Sequence, residues 1–226
     1  MARQLALPVS LPDDADFDNY LPLTPAARQV CALLRGLDPG RLVCLWGPAG
    51  SGKSHLALAS CRAAGAALYL PLAGLREHPP EQVCADLETL DLVALDELDA
   101  VAGQDAWERE LFHLHNRLLE RGGRLVAAAR AAPRALPWRL PDLRSRWLAG
   151  YGFGLPGMDD EQREQVLRFR AARLGLALGA DACRFLLARA PRDLGLLIDQ
   201  LRRLDRAALA HQRQLTVPFI KEVFGW

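Results

Sequence analysis

Short apolar runs alternate with helical patterns from about residue 25 to residue 156. Near-continuous apolar segments that are separated by helices are typical of a parallel sheet covered on both faces. The pattern therefore predicts an α/β core. The predicted strands are 42–47 (LVCLWG), 66–71 (AALYLP), 92–97 (LVALDE) and 124–129 (RLVAAA).

An amphipathic helix is predicted between the last two of these strands. Its apolar positions recur every three or four residues, and Gly122 can end it. A strand, a helix and a further strand in this order form a βαβ unit, which supports the parallel arrangement. The apolar positions are Trp107, Leu111, Leu114 and Leu118.

The pattern becomes purely helical after Pro156 and Gly157, which predicts a second, all-helical part. Thr216 can cap the last helix, because Pro218 then falls in its first turn. The earlier helices of this part are expected at 159–173, 181–190 and 193–211.

These patterns divide the chain into three parts. Residues 1–24 hold prolines and an acidic run without helical or strand periodicity, so they are expected to form an extended N-terminal arm. Residues 25–156 are expected to form the α/β core, and residues 157–226 a small helical lid.

Composition and charge limit the classes of function. The 226 residues are 50% hydrophobic, and 28 Lys and Arg against 27 Asp and Glu leave a net charge of +1. Such a balance provides no general field for attracting nucleic-acid phosphates or an anionic membrane. Any binding of anions is therefore expected to be local.

Features of a secreted or membrane protein are missing from the sequence. No apolar run approaches the ~20 residues that a membrane span needs, and prolines and acids occupy the place of a signal peptide's apolar segment. The five cysteines are scattered, with no pair at a metal-binding spacing. A cytoplasmic protein with reduced thiols and no membrane contact is expected. The cysteines are Cys31, Cys44, Cys61, Cys84 and Cys183.

A glycine-rich segment at 47–54 (GPAGSGKS) matches the phosphate-binding pattern G-x-x-x-x-G-K-[ST], between a predicted strand and a helical stretch. Its backbone N–H groups can surround phosphates, Lys53 can reach the β and γ oxygens, and Ser54 can ligate Mg²⁺. The segment therefore predicts a site for ADP or ATP with Mg²⁺. The binding residues are expected to be Gly47, Pro48, Ala49, Gly50, Ser51, Gly52, Lys53, Ser54 and His55.

Two acidic residues end the third predicted strand. Asp96 is expected to hold Mg²⁺ through water, and Glu97 stands where a base for an attacking water is needed. The fourth strand, in contrast, ends in three alanines and Arg130, without a hydroxyl or amide that could face a γ-phosphate. Weak or absent ATP hydrolysis by the chain itself is therefore expected, with ADP as its ligand.

This arrangement resembles the AAA+ family, and several segments are similar to the bacterial initiator DnaA and its shorter Hda relatives. Residues 17–20 (FDNY) resemble the linker that lies beside the nucleotide base, and 105–117 resemble the helix after the acidic strand. Residues 140–146 (LPDLRSR) resemble the segment called box VII, and 190–194 (APRDL) resemble the lid segment with the sensor 2 arginine.

The resemblance implies a role for two arginines. Arg146 would be the arginine finger, which acts in trans at a neighbour's ATP, with Arg144 as the local alternative. Arg192 would contact the phosphates of the chain's own nucleotide.

The first residues add a further similarity to the Hda family. The segment 4–9 (QLALPV) resembles that family's clamp-binding peptide, with Val9 as the one conservative change. The chain also ends soon after the lid, which leaves no room for DnaA's helix-turn-helix domain. The resemblance implies that Gln4, Leu5, Leu7, Pro8 and Val9 bind the sliding clamp, the β subunit of DNA polymerase III.

Taken together, these similarities imply a negative regulator of chromosomal replication initiation. Bound to the DNA-loaded clamp, and so to DNA only indirectly, it would present Arg146 to ATP-bound DnaA. Hydrolysis would leave the inactive ADP form of DnaA. Two alternatives stay open: an autonomous AAA+ ATPase of the DnaA or helicase-loader type that uses Asp96 and Glu97 on DNA, and a plain clamp-binding adaptor. A homodimer is compatible with each.

Overall fold

The computed structural model of the chain describes residues 15–190 and 193–226. These residues form two compact units. The first comprises the described residues up to Pro48 together with Gly52–Pro156, and the second comprises Ala49–Ser51 together with Gly157–Trp226. Each unit has an apolar core of its own.

The described part of the first unit contains one sheet of five parallel strands. These are β1 (Leu42–Trp46), β2 (Ala67–Pro71), β3 (Leu92–Asp96), β4 (Arg124–Ala129) and β5 (Tyr151–Gly154). The strand order is β2-β3-β4-β1-β5, so β4 lies between β1 and β3. The carboxyl ends of β1 and β3 therefore lie on either side of β4, at the edge of the sheet where α/β proteins bind their ligands.

Four of these strands confirm the sequence prediction, and the fifth was not predicted. In β5 each aromatic residue is followed by glycine, so it has no continuous apolar run. It forms at the edge of the sheet, where it pairs with β1 alone.

The helices of the first unit cover both faces of the sheet. They are α1 (Pro25–Arg35), α2 (Lys53–Ala63), the single turns α3 (Leu72–Leu75) and α4 (Pro80–Val83), α5 (Asp105–Glu120) and α6 (Pro141–Ala149). The predicted amphipathic helix is α5, and its four apolar positions are all buried.

Successive side chains along the strands point alternately into two apolar clusters, one on each face of the sheet. In β1, Val43 and Leu45 belong to the core that α1 and α2 cover, whereas Leu42 and Cys44 belong to the core that α5 and α6 cover. This alternation follows from the two-residue period of a strand. A sheet buried on both faces explains why its strands are nearly continuous apolar runs.

The described end of the N-terminal arm packs against the core and is not extended throughout. Phe17 and Tyr20 are only 8% and 9% exposed and pack in the core beside α1 and α2. Asp16 caps a short 3-10 turn at Phe17–Asn19 by accepting a hydrogen bond from the Asn19 amide at 2.7 Å. The lack of periodicity indicated an extended arm, but two aromatic side chains stabilise this short segment by burial.

The described residues of the second unit are helical, as predicted for the lid. The helices are α7 (Asp160–Arg173), α8 (Ala180–Arg189), α9 (Leu194–His211) and α10 (Val217–Phe224). The Thr216 hydroxyl caps α10 by accepting from the Phe219 amide, as the sequence predicted. Throughout the described part of the chain, no helix is both long enough and apolar enough to span a membrane.

Candidate functional site

The glycine-rich loop follows β1 and leads into α2, as the phosphate-binding pattern requires. The amide of Gly47 donates to the carbonyl of Ala129 at the end of β4, at 3.3 Å, which ties the start of the loop to the sheet. Gly52, just before α2, has a φ of 92°, in the left-handed region. A Cβ atom there would lie 2.7 Å from the Tyr20 ring, so both the backbone and the close packing require glycine.

Lys53 occupies the first position of α2 and is 9% exposed. Its ammonium donates to the carbonyls of Gly47 and Pro48, each at 2.8 Å. Burial lowers the pKa of Lys53, and the nearby carboxylates of Asp96 and Asp99 act in the opposite direction. A buried ammonium held by neutral carbonyls lies where anionic phosphate oxygens would compensate for its desolvation.

Asp96 ends β3 and is 3% exposed. Its Oδ1 accepts from the Glu97 amide at 2.7 Å, and its Oδ2 accepts from the Tyr69 hydroxyl at 2.5 Å. Burial raises the pKa of the Tyr69 phenol, and the charge of Asp96 adds to this shift. No motif in the sequence indicated Tyr69, whose one sequence signal is the single hydroxyl in an otherwise apolar strand.

Glu97 adopts a left-handed backbone conformation with a φ of 55°. Burial raises the pKa of its carboxyl group, as does the charge of Asp96, whereas a hydrogen bond from the Ala73 amide lowers it. A non-glycine residue in this conformation carries backbone strain, which is common at functional sites. The candidate base is therefore close to Asp96 and held in a constrained position.

The end of β4 lies beside this acidic pair. The amide of Arg130 donates to Asp99 Oδ1 at 2.8 Å. The positive charge of the exposed Arg130 side chain adds to the lowering of the Lys53 pKa and opposes the rise of the Glu97 pKa, so this charge acts within the site. The three alanines before it are buried in the sheet. Arginine thus supplies the one polar side chain at this strand end.

The segment that resembles the AAA+ linker lies against the start of α2. The rings of Tyr20 and His55 are 5.4 Å apart, and His55 Nε2 lies 2.7 Å from the carbonyl oxygen of Asp16. Burial raises the pKa of the Tyr20 phenol. The structure thus brings the predicted linker and the predicted residue His55 together.

Arg146 lies on α6 and is half-buried. Its guanidinium carbon is 4.9 Å from the centre of the Phe112 ring on α5, a distance suited to a cation–π contact. Its Nε is buried without a hydrogen-bond partner among the described residues. Arg144 differs, because it is exposed and makes no ion pair or ring contact within the described part of the chain.

A buried carboxylate holds the start of α6. Glu108, on α5, is 1% exposed and accepts hydrogen bonds from the Gly103, Arg139 and Leu140 amides, the last at 2.6 Å. Leu140 immediately precedes α6 and has no capping side chain of its own. Glu108 therefore satisfies amides at this helix start, where an anion is also favoured by the helix dipole. Nothing in the spacing of Glu108 indicated this role.

Glu108 and Phe112 are four residues apart, so they lie on one face of α5. The first holds the start of α6, and the second lies against Arg146 farther along α6. Leu143 and Trp147 anchor the same helix in the core, and the Trp147 ring stacks on Trp138. The position of the Arg146 side chain is thus determined by α5.

Some predicted site residues fall outside the part of the chain that the structure describes. Arg192 and the segment 4–9 lie outside the described residues.

The described residues include no cluster of three or more histidine, cysteine or acidic side chains that could hold a metal alone. The donor set fits Mg²⁺ nevertheless. Ser54 and Asp96 offer hard oxygen ligands, and Mg²⁺ in nucleotide sites uses one or two protein ligands, the phosphates and water.

Residues 160–224 match a family model described as the lid domain of Hda. The fold of the chain is similar to that of domain III of the Thermotoga maritima replication initiation protein DnaA, with a TM-score of 0.73 and 19% identity over 95% of this chain and 97% of that one. It is also similar to AMPPCP-bound DnaA from Aquifex aeolicus, with a TM-score of 0.66 and 17% identity over 86% of this chain and 66% of that one.

A third similar structure is the Thermotoga maritima RuvB Holliday junction branch migration motor. Its TM-score is 0.62 and its identity 14%, over 93% of this chain and 73% of the other. These similarities agree with the observed parallel sheet and helical lid, and they confirm the predicted fold class. Residues 160–224 are thus similar to the lid domain of Hda, and the chain as a whole has the fold of DnaA domain III, a parallel five-stranded sheet followed by a helical lid.

Proposed function

We propose that the chain is a cytoplasmic negative regulator of chromosomal replication initiation. It binds the DNA-loaded sliding clamp through residues 4–9 and presents Arg146 to ATP-bound DnaA. Hydrolysis then leaves DnaA in its inactive ADP form. Two features of the chain support the proposal together. Residues 160–224 match the Hda lid, and Arg146 on α6 is held over the Phe112 ring of α5.

The chain's own nucleotide is ADP or ATP, bound at the glycine-rich loop. Lys53 would bind phosphate oxygens, and Ser54 and Asp96 would hold Mg²⁺. Support comes from the closeness of Lys53 to the loop carbonyls, and from the AMPPCP bound by a DnaA of similar fold. Bound Mg²⁺ neutralises phosphate charge. Arg192 is proposed to contact the same phosphates from the lid.

Arg146 is favoured over Arg144 as the finger because its position is constrained. A guanidinium that is held over a ring loses less conformational entropy when it enters a partner's site than one that is free in solvent. Arg144 has no such support among the described residues. The finger neutralises charge on the transferring phosphoryl group, so the chemistry takes place at the ATP of DnaA.

A second candidate is an autonomous AAA+ ATPase acting on DNA. Asp96 and Glu97 favour it, because both carboxylates that such turnover needs are present at the end of β3. The alanines and arginine at the end of β4 weigh against it. ATP turnover by the chain alone, compared with turnover in the presence of DnaA and DNA-loaded clamp, separates the two candidates. Efficient turnover by the chain alone would favour the ATPase, in either a monomer or a homodimer.

Replacing Gln4, Leu5 and Leu7 with alanine is expected to abolish clamp binding. Each leucine contributes about 1.5 to 3 kcal/mol when its side chain is buried in a partner's groove. The midpoint of thermal unfolding should not change, because residues 4–7 are predicted to add little to the cores. Titration with purified clamp measures the effect. Leu11→Ala, in the same arm, is the control and should bind normally, and an unchanged affinity of the triple variant would contradict clamp binding by this segment.

Phe112→Leu is expected to lower the stimulated ATP hydrolysis of DnaA by about 2- to 30-fold, because it removes a cation–π contact and keeps an apolar side chain. Turnover is measured with DnaA and DNA-loaded clamp. In an Arg146→Ala background the same substitution should have no further effect. An equal loss in both backgrounds would show that Phe112 acts on the fold and not through Arg146.

A further inference from the structure

The Tyr69 hydroxyl contacts one of the two side chains that are expected to hold Mg²⁺. It donates to Asp96 Oδ2 at 2.5 Å. The Ser54 side chain acts on the same phenol by lowering its pKa, against the larger effect of burial. One phenol on β2 therefore holds the aspartate that ends β3.

The contacts of Asp96 leave room for a metal or a metal-bound water. Each carboxylate oxygen has about two acceptor positions. The Glu97 amide uses one on Oδ1, and the Tyr69 hydroxyl uses one on Oδ2. The carboxylate is thus held from both oxygens, and each oxygen has one acceptor position that no other described residue is shown to use.

The position of Tyr69 in the sheet makes this contact stable. β2 pairs with β3 in parallel, with Tyr69 opposite Ala94 and Pro71 opposite Asp96. The phenol therefore reaches Asp96 from the neighbouring strand at a fixed offset of two residues. Because a sheet register fixes this offset, the hydroxyl position depends little on loop motion.

We propose that Tyr69 is a positioning residue for Mg²⁺, whose hydroxyl orients Asp96 toward the metal of a bound nucleoside diphosphate or triphosphate. This inference rests on the proposed nucleotide site. Mg²⁺ requires nearly ideal octahedral geometry, so its ligands depend on partners that hold them in place. The hydroxyl does not ligate the metal itself.

The test is a titration of the full-length chain with ADP at a series of free Mg²⁺ concentrations, and in EDTA. It compares the unaltered chain with Tyr69→Phe, which removes only the hydroxyl, and with Tyr151→Phe, which removes the hydroxyl of an exposed tyrosine on β5. Mg²⁺ is expected to increase the affinity of the chain for ADP, and the midpoint is the free Mg²⁺ concentration at which half of this increase is reached. In Tyr69→Phe this Mg²⁺ midpoint is expected to rise about 10- to 100-fold. The affinity in EDTA should not change, and Tyr151→Phe should behave like the unaltered chain.

Three results would overturn the inference. An unchanged Mg²⁺ midpoint in Tyr69→Phe would mean that the hydroxyl does not position the ligands. A lower midpoint would mean that the hydroxyl competes with the metal for Asp96. An equal loss of ADP affinity with Mg²⁺ and in EDTA would mean that Tyr69 supports the loop and not the metal. The proposed nucleotide site fails in a different way, since the unaltered chain would then not bind ADP at all.

Discussion

Arg146→Ala is expected to lower the ATP hydrolysis that the chain stimulates in DnaA by about 10³- to 10⁵-fold, the usual contribution of an arginine finger. The guanidinium neutralises charge on the phosphoryl group in the transition state, and alanine offers no replacement. The measurement is the release of phosphate from ATP-bound DnaA in the presence of DNA-loaded clamp. Binding of the variant to ADP and to the clamp should persist, because neither is proposed to use Arg146.

Two further variants make this result specific. Arg146→Lys should rescue poorly, because an ammonium lacks the planar fork of donors that matches phosphate oxygens. Arg144→Ala should have a much smaller effect, since its side chain is exposed and makes no ion pair or ring contact with another described residue. If Arg144→Ala abolished the stimulation and Arg146→Ala did not, the finger would be Arg144. If both variants were fully active, the trans-acting mechanism would be wrong.

Lys53→Ala is expected to weaken ADP binding by about 10- to 100-fold, which corresponds to the loss of one charge-assisted contact of about 1.5 to 3 kcal/mol. The buried ammonium is the candidate cation nearest the start of the loop, within 2.8 Å of two of its carbonyls. Calorimetric titration with ADP measures the change.

The sequence offers a matched control for this variant, because Lys53 and Lys221 are its two lysines. Lys221 lies on α10, with its ammonium 5.6 Å from the centre of the Phe185 ring. Lys221→Ala should bind ADP with unchanged affinity. Unchanged affinity in Lys53→Ala as well would place the nucleotide somewhere other than the glycine-rich loop.

Arg146 and Lys53, the residues of these two predictions, both belong to the first unit. α5 begins nine residues after Asp96, the carboxylate that ends β3. The same helix carries Glu108 and Phe112, which hold α6 and Arg146. Asp96 of the candidate nucleotide site and the candidate finger Arg146 therefore both lie in the first unit, with α5 between them along the chain.

Much of the fold could be predicted because its signals are local. The apolar runs at 42–47 and 92–97 contain the strands β1 and β3, and the predicted apolar positions of α5 are buried. Thr216 and Pro218 marked the start of the last helix. Such signals depend on residues that are close in sequence, where spacing alone determines which side chains share a face or a cap.

Predictions were wrong or incomplete where the decisive partner is distant in sequence. β5 has weak strand character of its own and forms because β1 offers a pairing edge. The lack of periodicity before residue 21 indicated an extended arm, but Phe17 and Tyr20 are buried against the core. In both cases tertiary packing outweighs local preference.

The sequence alone determined the phosphate-binding pattern at 47–54, its place between a strand and a helix, and the acidic pair that ends β3. These features follow from local composition and spacing. Only the tertiary structure decided what holds the candidate side chains. Tyr69 and Asp96 are 27 residues apart, and Glu108 and Leu140 are 32 apart. Such pairs meet because the sheet register and the packing of α5 against α6 bring them together, and no short-range pattern in the sequence encodes that distance.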